Sequence, residues 1–222
     1  MLRKLIAGVV VPLAMLAGPG VPPAAAHSST YEGKDGKEDK VNDALGGHAE
    51  QARELLRIRQ ATKRFRDINV ALAEGYVIPP SAECVTAEME GLPRQLGAMG
   101  VHVIRPDLLG ITGVSPRVDG TGTHTDFTRP GVLVYEPQAD GSYELVAVEN
   151  LVFAQAWQAA GNTEPPTFGE NQYYYMVDNP LTEIDEAHGF TPHYELHVWL
   201  YRYNPAGTFM QFNARVSCPG TR

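Results

Sequence analysis

The pattern of hydrophobic and polar positions is most informative over residues 193–203. Alternate positions there are apolar, which predicts a strand with two different faces. The apolar face must pack against a core. The other face combines aromatic and titratable side chains, so we expect any chemical site of this chain to lie on it. That face consists of His193, Glu195, His197, Trp199, Tyr201 and Tyr203.

Other apolar patterns predict one long helix and several hairpin-connected strands. Apolar residues recur at three- and four-residue steps over residues 48–74, which is typical of an amphipathic helix, and a short helix is predicted over 153–160. We expect an α+β fold in which the N-terminal amphipathic helix packs on a curved, mostly antiparallel β-sheet. Strands are predicted over residues 99–104, 131–136, 143–149, 171–177, 193–203 and 209–216.

Two longer segments between these elements have the composition of loops. Residues 106–130 are rich in Gly, Thr and Asp, which predicts an extended surface loop. Residues 178–192 predict an acidic loop. The segment 209–216 follows a short turn after 203, so we expect it to pair with 193–203 as a hairpin.

The first 44 residues indicate export and a tail rather than a folded element. Residues 1–26 combine a basic start, an apolar stretch and small residues, which is typical of a signal peptide cleaved near Ala26. The apolar stretch is shorter than the roughly 20 residues that span a bilayer. Residues 27–44 are polar and charged and predict a disordered tail. We therefore expect a secreted or periplasmic protein in which residues 45–222 form a single α+β domain.

Charge and cysteine content narrow the classes of partner. The formal net charge is −8, which argues against nucleic acid as a partner, and no membrane span is predicted. Cys84 and Cys218 are the only cysteines. In an oxidising compartment they favour one structural disulfide over a redox-active pair, because the C-x-x-C spacing is absent.

No motif in the chain identifies a reaction. The glycine-rich nucleotide-binding patterns, H-E-x-x-H, G-x-S-x-G and the EF-hand loop are all absent. The strongest chemical hypothesis is a divalent transition-metal site, because mixed histidine and carboxylate ligands suit zinc, copper, manganese or iron. The histidines available are His27, His48, His102, His124, His188, His193 and His197.

Strand geometry selects the side chains that can bind one ion together. His193 and His197 would lie about 13 Å apart on a strand, at roughly 3.3 Å per residue, so one ion cannot bind both. Glu195 is two positions from His197 and can reach the same ion. We expect His102 and His197 on neighbouring strands with side chains on the same face, which makes His193 peripheral. The predicted metal ligands are His102, Glu195 and His197.

The same part of the sheet is expected to form a pocket. Glu149, Trp199 and Tyr201 are predicted to line it together with the metal ligands. Glu149 and Glu195 are the candidate catalytic residues, because a buried carboxyl group has a raised pKa and can act as an acid or a base. In the alternative without a metal, these polar groups satisfy one another inside an aromatic pocket.

Two further metal hypotheses rest on other segments. Cleavage after Ala26 would make His27 the first residue, whose amine and imidazole can chelate copper, although the polar sequence that follows argues against an ordered N-terminus. The acidic loop offers oxygen ligands for calcium, but charged loops are more often simply solvated. His188 in this loop can also form a pH-sensitive pair. The acidic residues concerned are Asp178, Glu183, Asp185 and Glu186.

Several segments together resemble a family of exported bacterial proteins that has no assigned activity. The resemblance covers most of the chain from residue 61 to residue 218. It implies a single exported domain and no particular reaction, so no site residue is taken from it. The segments that carry it are residues 61–67, 97–102, 133–137, 196–199, 204–209 and 212–218.

The sequence therefore predicts an exported soluble domain that binds a metal ion or a small molecule through a His/Glu/aromatic pocket. One alternative is a metal-dependent enzyme that uses the same residues. The other alternative is a secreted or envelope interaction module without a chemical site.

Overall fold

The computed structural model describes residues 35–80 and 82–219, with side chains from residue 47 onward. The predicted signal peptide and His27 lie outside the described residues. The chain divides after Asn42, and the unit Asp43–Arg222 contains the sheet and the candidate site. Within the described residues, no helix is both long and apolar enough to cross a membrane.

A helical N-terminal segment is followed by antiparallel strands with two short helices among them, and this confirms the α+β class. The helices are α1 (Asp35–Thr62), α2 (Ile68–Ala73), α3 (Pro106–Leu109) and α4 (Ala154–Ala159), with 3-10 turns at Lys63–Arg66 and Arg94–Leu96. The strands are β1 (Cys84–Thr86), β2 (Ala98–Ile104), β3 (Ile111–Gly113), β4 (Asp119–Gly120), β5 (Val132–Pro137), β6 (Tyr143–Phe153), β7 (Thr167–Phe168), β8 (Asn171–Gln172), β9 (Tyr174–Met176) and β10 (His193–Val198).

Six of these strands form the main sheet, in the order β1-β2-β5-β6-β10-β9. All of its neighbouring pairs are antiparallel. The predicted strands at 99–104, 131–136 and 143–149 correspond to β2, β5 and β6, and β6 continues to Phe153. The two remaining strand pairs, β3-β4 and β7-β8, are short and separate.

The main sheet is buried on both faces. Because side chains alternate along a strand, odd and even positions enter two different apolar clusters. One cluster joins Leu133 and Leu196 to Ile58 and Phe65 of the helical segment. The opposite face, which we call the inner face, carries the second cluster. Its sheet residues include Val132, Val134, Ala147 and Leu151, and it also contains Trp199 and Phe190.

The predicted helix over residues 48–74 differs from the observed helices at both its start and its middle. Helix α1 begins at Asp35, inside the segment predicted as a disordered tail. The helix is interrupted at Asp67, whose backbone is extended. The Asp67 carboxylate accepts a hydrogen bond from the Asn69 amide, so this residue caps α2 and starts a new helix.

The C-terminal strand predictions are wrong beyond Val198. Strand β10 stops there because the Tyr201 and Arg202 amides both donate to the Val146 carbonyl oxygen, which breaks the pairing register. The predicted strand at 209–216 is absent as well. That segment makes an isolated bridge between Asn213 and Ala98 of β2 instead of a hairpin with β10.

The segment 106–130 is more structured than an extended surface loop. It contains α3, β3 and β4. Leu109, Val118 and Phe127 are buried, so the segment covers part of the core. The Gly- and Thr-rich composition predicts a loop because it gives no periodic apolar signal for such short elements.

The predicted cysteine pairing is present. The sulfur atoms of Cys84 and Cys218 lie 2.00 Å apart, at disulfide distance. The bond joins β1, at the edge of the sheet, to the C-terminal segment. A disulfide is consistent with an extracytoplasmic location.

Candidate metal centre

The candidate site lies on the inner face of the curled sheet and is built from four histidines and three glutamates. Strands β2, β6 and β10 supply five of these residues, and two loops supply the others. The side chains of all seven are buried. They are Glu90, His102, Glu149, His188, His193, Glu195 and His197.

His102 and His197 meet across the sheet, although they do not lie on neighbouring strands. Strands β5 and β6 separate β2 from β10, so the expectation of neighbouring strands is wrong. Three strand spacings in a flat sheet amount to roughly 14 Å. The centroids of the two rings are nevertheless only 5.6 Å apart. The sheet therefore curls toward its inner face, and the curl brings β2 and β10 together.

Small side chains between the two histidines leave room for this approach. The register places His102 opposite Val134 on β5, and Val134 opposite Ala147 on β6. Ala147 is the third residue of this row across the strands. A larger side chain at this position would fill the space above the inner face. In the next row His197 pairs with Glu149, so both reach the same volume as His102.

His102, Glu149 and His197 form the first group of possible metal ligands. Glu149 Oε2 lies 3.1 Å from His102 Nε2 and 3.3 Å from His197 Nε2. Around a tetrahedral zinc ion, with bonds of about 2.0–2.1 Å, neighbouring donor atoms are roughly 3.3–3.4 Å apart. Each imidazole nitrogen thus lies from the carboxylate oxygen at nearly the distance that donor atoms have around one zinc ion, and all three ligand atoms lie within 4.8 Å of one another.

His188, His193 and Glu195 form a second group with the same composition. Glu195 Oε2 lies 3.2 Å from the Nε2 atoms of both His188 and His193. In each group, one carboxylate oxygen therefore faces two imidazole nitrogens. The groups adjoin one another, because the His102 and His188 rings stack with centroids 5.1 Å apart.

Most of these short contacts are not hydrogen bonds. Nine buried nitrogen and oxygen atoms of the cluster have no hydrogen-bond partner, although several lie 3.1–3.3 Å from another polar atom. Buried polar groups are normally hydrogen-bonded, and leaving one unpaired costs about 1–3 kcal/mol. Donor atoms that converge at this spacing without hydrogen-bond geometry are expected where an ion lies among them.

The Nδ1 atoms of the histidines face acceptors that would orient the rings. His193 Nδ1 lies 3.0 Å from the Thr191 carbonyl oxygen, and His188 Nδ1 lies 3.3 Å from Glu90 Oε1. His197 Nδ1 faces Glu195 Oε1 at 3.7 Å. A metal-bound histidine usually directs its second nitrogen to a carboxylate or carbonyl in this way.

His188 reaches the cluster from a strained loop conformation. Its φ angle is +34°, and it is the one residue other than glycine with a positive φ in the described part of the chain. A non-glycine residue in this region costs of order 1–3 kcal/mol, and such residues concentrate at functional sites. The backbone is thus held in an unfavourable conformation at the residue that carries the ring into the core.

The cluster shifts the pKa values of its members in opposite directions. Burial raises the pKa of Glu149 to about 7 and lowers the pKa of His102 to about 3. Burial acts to raise the pKa of Glu195 too, but the neighbouring histidines, His188 first among them, together outweigh burial and hold this pKa well below its usual value. Two adjacent carboxyl groups therefore differ in proton affinity, as they do in many acid–base sites.

A cavity of about 310 Å³ leads from the surface to this cluster. His102, His188 and Glu90 line its inner end. Its walls are mostly apolar and come from the segments around β1, Val118 and Phe190. Glu149 and Glu195 are fully buried and do not line the cavity, so Glu90 is the glutamate of the cluster that an entering molecule can reach.

The structure brings together the three predicted metal ligands, but in two groups. Glu195 shares its short contacts with His188 and His193, whereas Glu149 joins His102 and His197. The prediction that His193 is peripheral is wrong, because His193 is fully buried within the second group. Strand spacing correctly separates His193 from His197, but it cannot show that each lies beside a different carboxylate.

The predicted pocket residues lie in different places. Trp199 stacks on the His197 ring, with centroids 5.7 Å apart, and its indole closes one side of the cluster. Tyr201 lies beyond the end of β10. It packs against the apolar cluster on the other face of the sheet, away from the histidines, and its hydroxyl group forms a hydrogen bond with Thr62. Its position follows from the broken register after Val198.

Sequence reasoning missed two members of the site. They are His188, which is expected in or beside the acidic loop, and Glu90, which lies in a segment with the composition of a loop; neither position has a periodic pattern that indicates burial. In the acidic loop, Asp178 and Asp185 instead pair with Arg117. Glu186 accepts a hydrogen bond from Thr182.

No protein-family model, curated protein or solved structure matches this chain.

Proposed function

We propose that this chain is an exported metal-binding domain in which His102, Glu149 and His197 bind a divalent transition-metal ion. The observation that carries the proposal is that Glu149 Oε2 lies 3.1–3.3 Å from the Nε2 atoms of both histidines, in a buried site without hydrogen bonds between them. Two histidines and one glutamate are a ligand set of catalytic zinc sites, which keep a fourth position open. The export signal, the disulfide and the family resemblance all support an extracytoplasmic setting.

An ion would also relieve the cost of burying these groups. Glu149 is fully buried and has no hydrogen-bond partner for either carboxylate oxygen. Without a cation its charge is unfavourable, which is why burial raises its pKa to about 7. A divalent ion binds the deprotonated form of glutamate and the neutral form of histidine, which suits the lowered pKa of His102.

Replacing His102 or His197 by alanine is expected to weaken zinc binding at this position by about 100-fold or more, because each change removes one of three protein ligands. Isothermal titration with zinc and elemental analysis of the purified exported protein measure the loss. Titrations with copper, manganese and iron identify the preferred metal.

His48→Ala is the matched control, because His48 is exposed and remote from the sheet cluster. It should bind zinc like the unchanged protein. A second control, His27→Ala, removes the N-terminal copper chelate that the sequence suggests. Wild-type affinity in both the His102 and His197 variants would contradict the proposal.

The second candidate function is a metal-dependent enzyme, and the cavity that ends at His102 and His188 favours it. A purely structural metal site is normally closed, whereas a catalytic site keeps a position open for water or substrate. The fully buried Glu149 and Glu195 are poorly located to meet a substrate. Glu90 lines the cavity, contacts His188 and has a pKa raised by burial, so it is the better candidate for a general base.

Azide is expected to change the visible absorption spectrum of the cobalt-substituted protein, because the cavity gives a small anion access to the open position. Ala82→Trp, which narrows the cavity, should weaken this azide response by about 10-fold or more. Leu181→Trp is the control, because Leu181 is 91% exposed and does not line the cavity. If azide does not change the spectrum, the hypothesis of a metal-dependent enzyme is wrong, and the metal site is closed to small molecules.

A further inference from the structure

The second group of ligands has no role in the proposed first site, yet it repeats that site's composition. Glu195 Oε2 faces the Nε2 atoms of His188 and His193 at 3.2 Å each. Both spacings are close to the donor separation around one tetrahedral ion. All three residues are buried, and the group is one of two such sets among the described residues.

The protonation pattern of His193 argues for a cation beside its Nε2 atom. The Thr191 carbonyl oxygen can only accept a hydrogen bond, so His193 Nδ1 must carry the proton of that 3.0 Å bond. The Nε2 atom of a neutral ring then has a lone pair, and this lone pair faces the carboxylate oxygen of Glu195. Two lone pairs at 3.2 Å need a positive charge between them, either a proton or a metal ion.

The loop that carries His188 is built to hold its ring at this place. His188 has a positive φ angle, and its side chain is only 4% exposed. Glu90 faces its Nδ1 atom at 3.3 Å, which leaves Nε2 for Glu195. In metal sites a carboxylate commonly accepts a hydrogen bond from one ring nitrogen of a histidine while the lone pair of the other nitrogen binds the metal. The positions of Glu90 and His188 correspond to this arrangement.

From this geometry we infer a second divalent metal ion, bound by His188, His193 and Glu195 beside the first ion. The inference rests on the proposed function, because the first ion is assigned there to His102, Glu149 and His197. His188 lines the cavity, so the second ion lies on the route by which small molecules reach the centre. Two divalent ions would also more than neutralise the charge of the three buried carboxylates.

A proton is the competing occupant of the second position. A doubly protonated His188 between Glu90 and Glu195, together with a proton on His193 Nε2 that is donated to Glu195 Oε2, would satisfy the same contacts without a metal. The two occupants predict different numbers of bound zinc ions, because only a metal ion at the second position gives two zinc ions per chain. The ratio measured on the unchanged protein tests this without any variant that might fail to fold.

The experiment is zinc stoichiometry by elemental analysis and titration on the exported protein, with His48→Ala as the control. We expect two zinc ions for the wild-type protein and the control, and one each for His193→Ala and His102→Ala. Circular dichroism and an intact disulfide verify that the variants are folded. Double replacement of His102 and His193 should leave no tightly bound zinc.

The outcomes separate this inference from the proposed function. If the wild-type protein binds one zinc ion and His193→Ala still binds it, the second metal position is wrong and the first assignment stands. If the wild-type protein binds one zinc ion that is lost in His193→Ala but retained in His102→Ala, the first assignment is wrong. One zinc ion in the wild-type protein that is lost in both single variants would indicate one shared site and overturn the second ion. Absence of zinc in the wild-type protein would overturn both.

Discussion

Removing the bound metal with EDTA is expected to lower the free energy of unfolding by about 4 kcal/mol per ion, when free metal was previously about 1,000 times its dissociation constant. The physical reason is that an ion binds the folded cluster and has no comparable site in the unfolded chain. For a protein of this size the midpoint of thermal unfolding should fall by about 8–16 °C for each ion removed. Scanning calorimetry with EDTA and with added zinc measures the change.

The control for this experiment is the protein with both His102 and His193 replaced by alanine. This variant lacks a ligand in each group, so EDTA should leave its unfolding temperature unchanged. Elemental analysis must verify that EDTA has removed the metal from the wild-type protein. An unfolding temperature that stays the same after verified removal would show that the cluster is stable with protons alone.

Local sequence pattern was sufficient to identify the strands that carry the site. The alternation over residues 193–198 predicts a face with three titratable side chains, and β10 presents that face. The apolar runs at β2, β5 and β6 predict strands, and these three strands are neighbours in the main sheet. Period-two spacing also separates His193 from His197 correctly. These features depend only on residues close together in the chain.

The grouping of the ligands could not be predicted, because it depends on the curl of the sheet. Sequence spacing cannot show that β5 and β6 lie between β2 and β10 or that the strands curl over Ala147. The choice between Glu149 and Glu195 as partner of His102 follows from register across those strands. Register is set by many distant contacts, so a single strand does not determine it.

Loop residues of the site escaped prediction for a different physical reason. His188 adopts a positive φ angle just before Gly189, and this conformation is uncommon for any residue other than glycine, so the sequence does not predict it. Glu90 is buried by the packing of the segment after β1 against this loop. The bulge after Val198 likewise removes Tyr201 from the site, although the alternation continues in the sequence.

The disulfide holds one wall of the cavity in position. Cys84 belongs to β1, and Ala82, Glu83 and Val85 beside it line the cavity. At its other end, Cys218 follows Ser217, whose amide donates to Glu136 Oε1 on β5. Strand β1 is only three residues long and lies at the edge of the sheet, so this bond supplies much of its attachment.

Replacing both Cys84 and Cys218 by serine is expected to lower the free energy of unfolding by about 4–5 kcal/mol, because the bond closes a loop with a sequence separation of 134 residues. Denaturant unfolding of the wild-type and double-serine proteins, both in EDTA, measures the loss without a metal contribution. Zinc should still stabilise the double variant, since β2, β6 and β10 keep their ligands. A loss below about 1 kcal/mol would mean that the unfolded chain gains little freedom when the bond is absent.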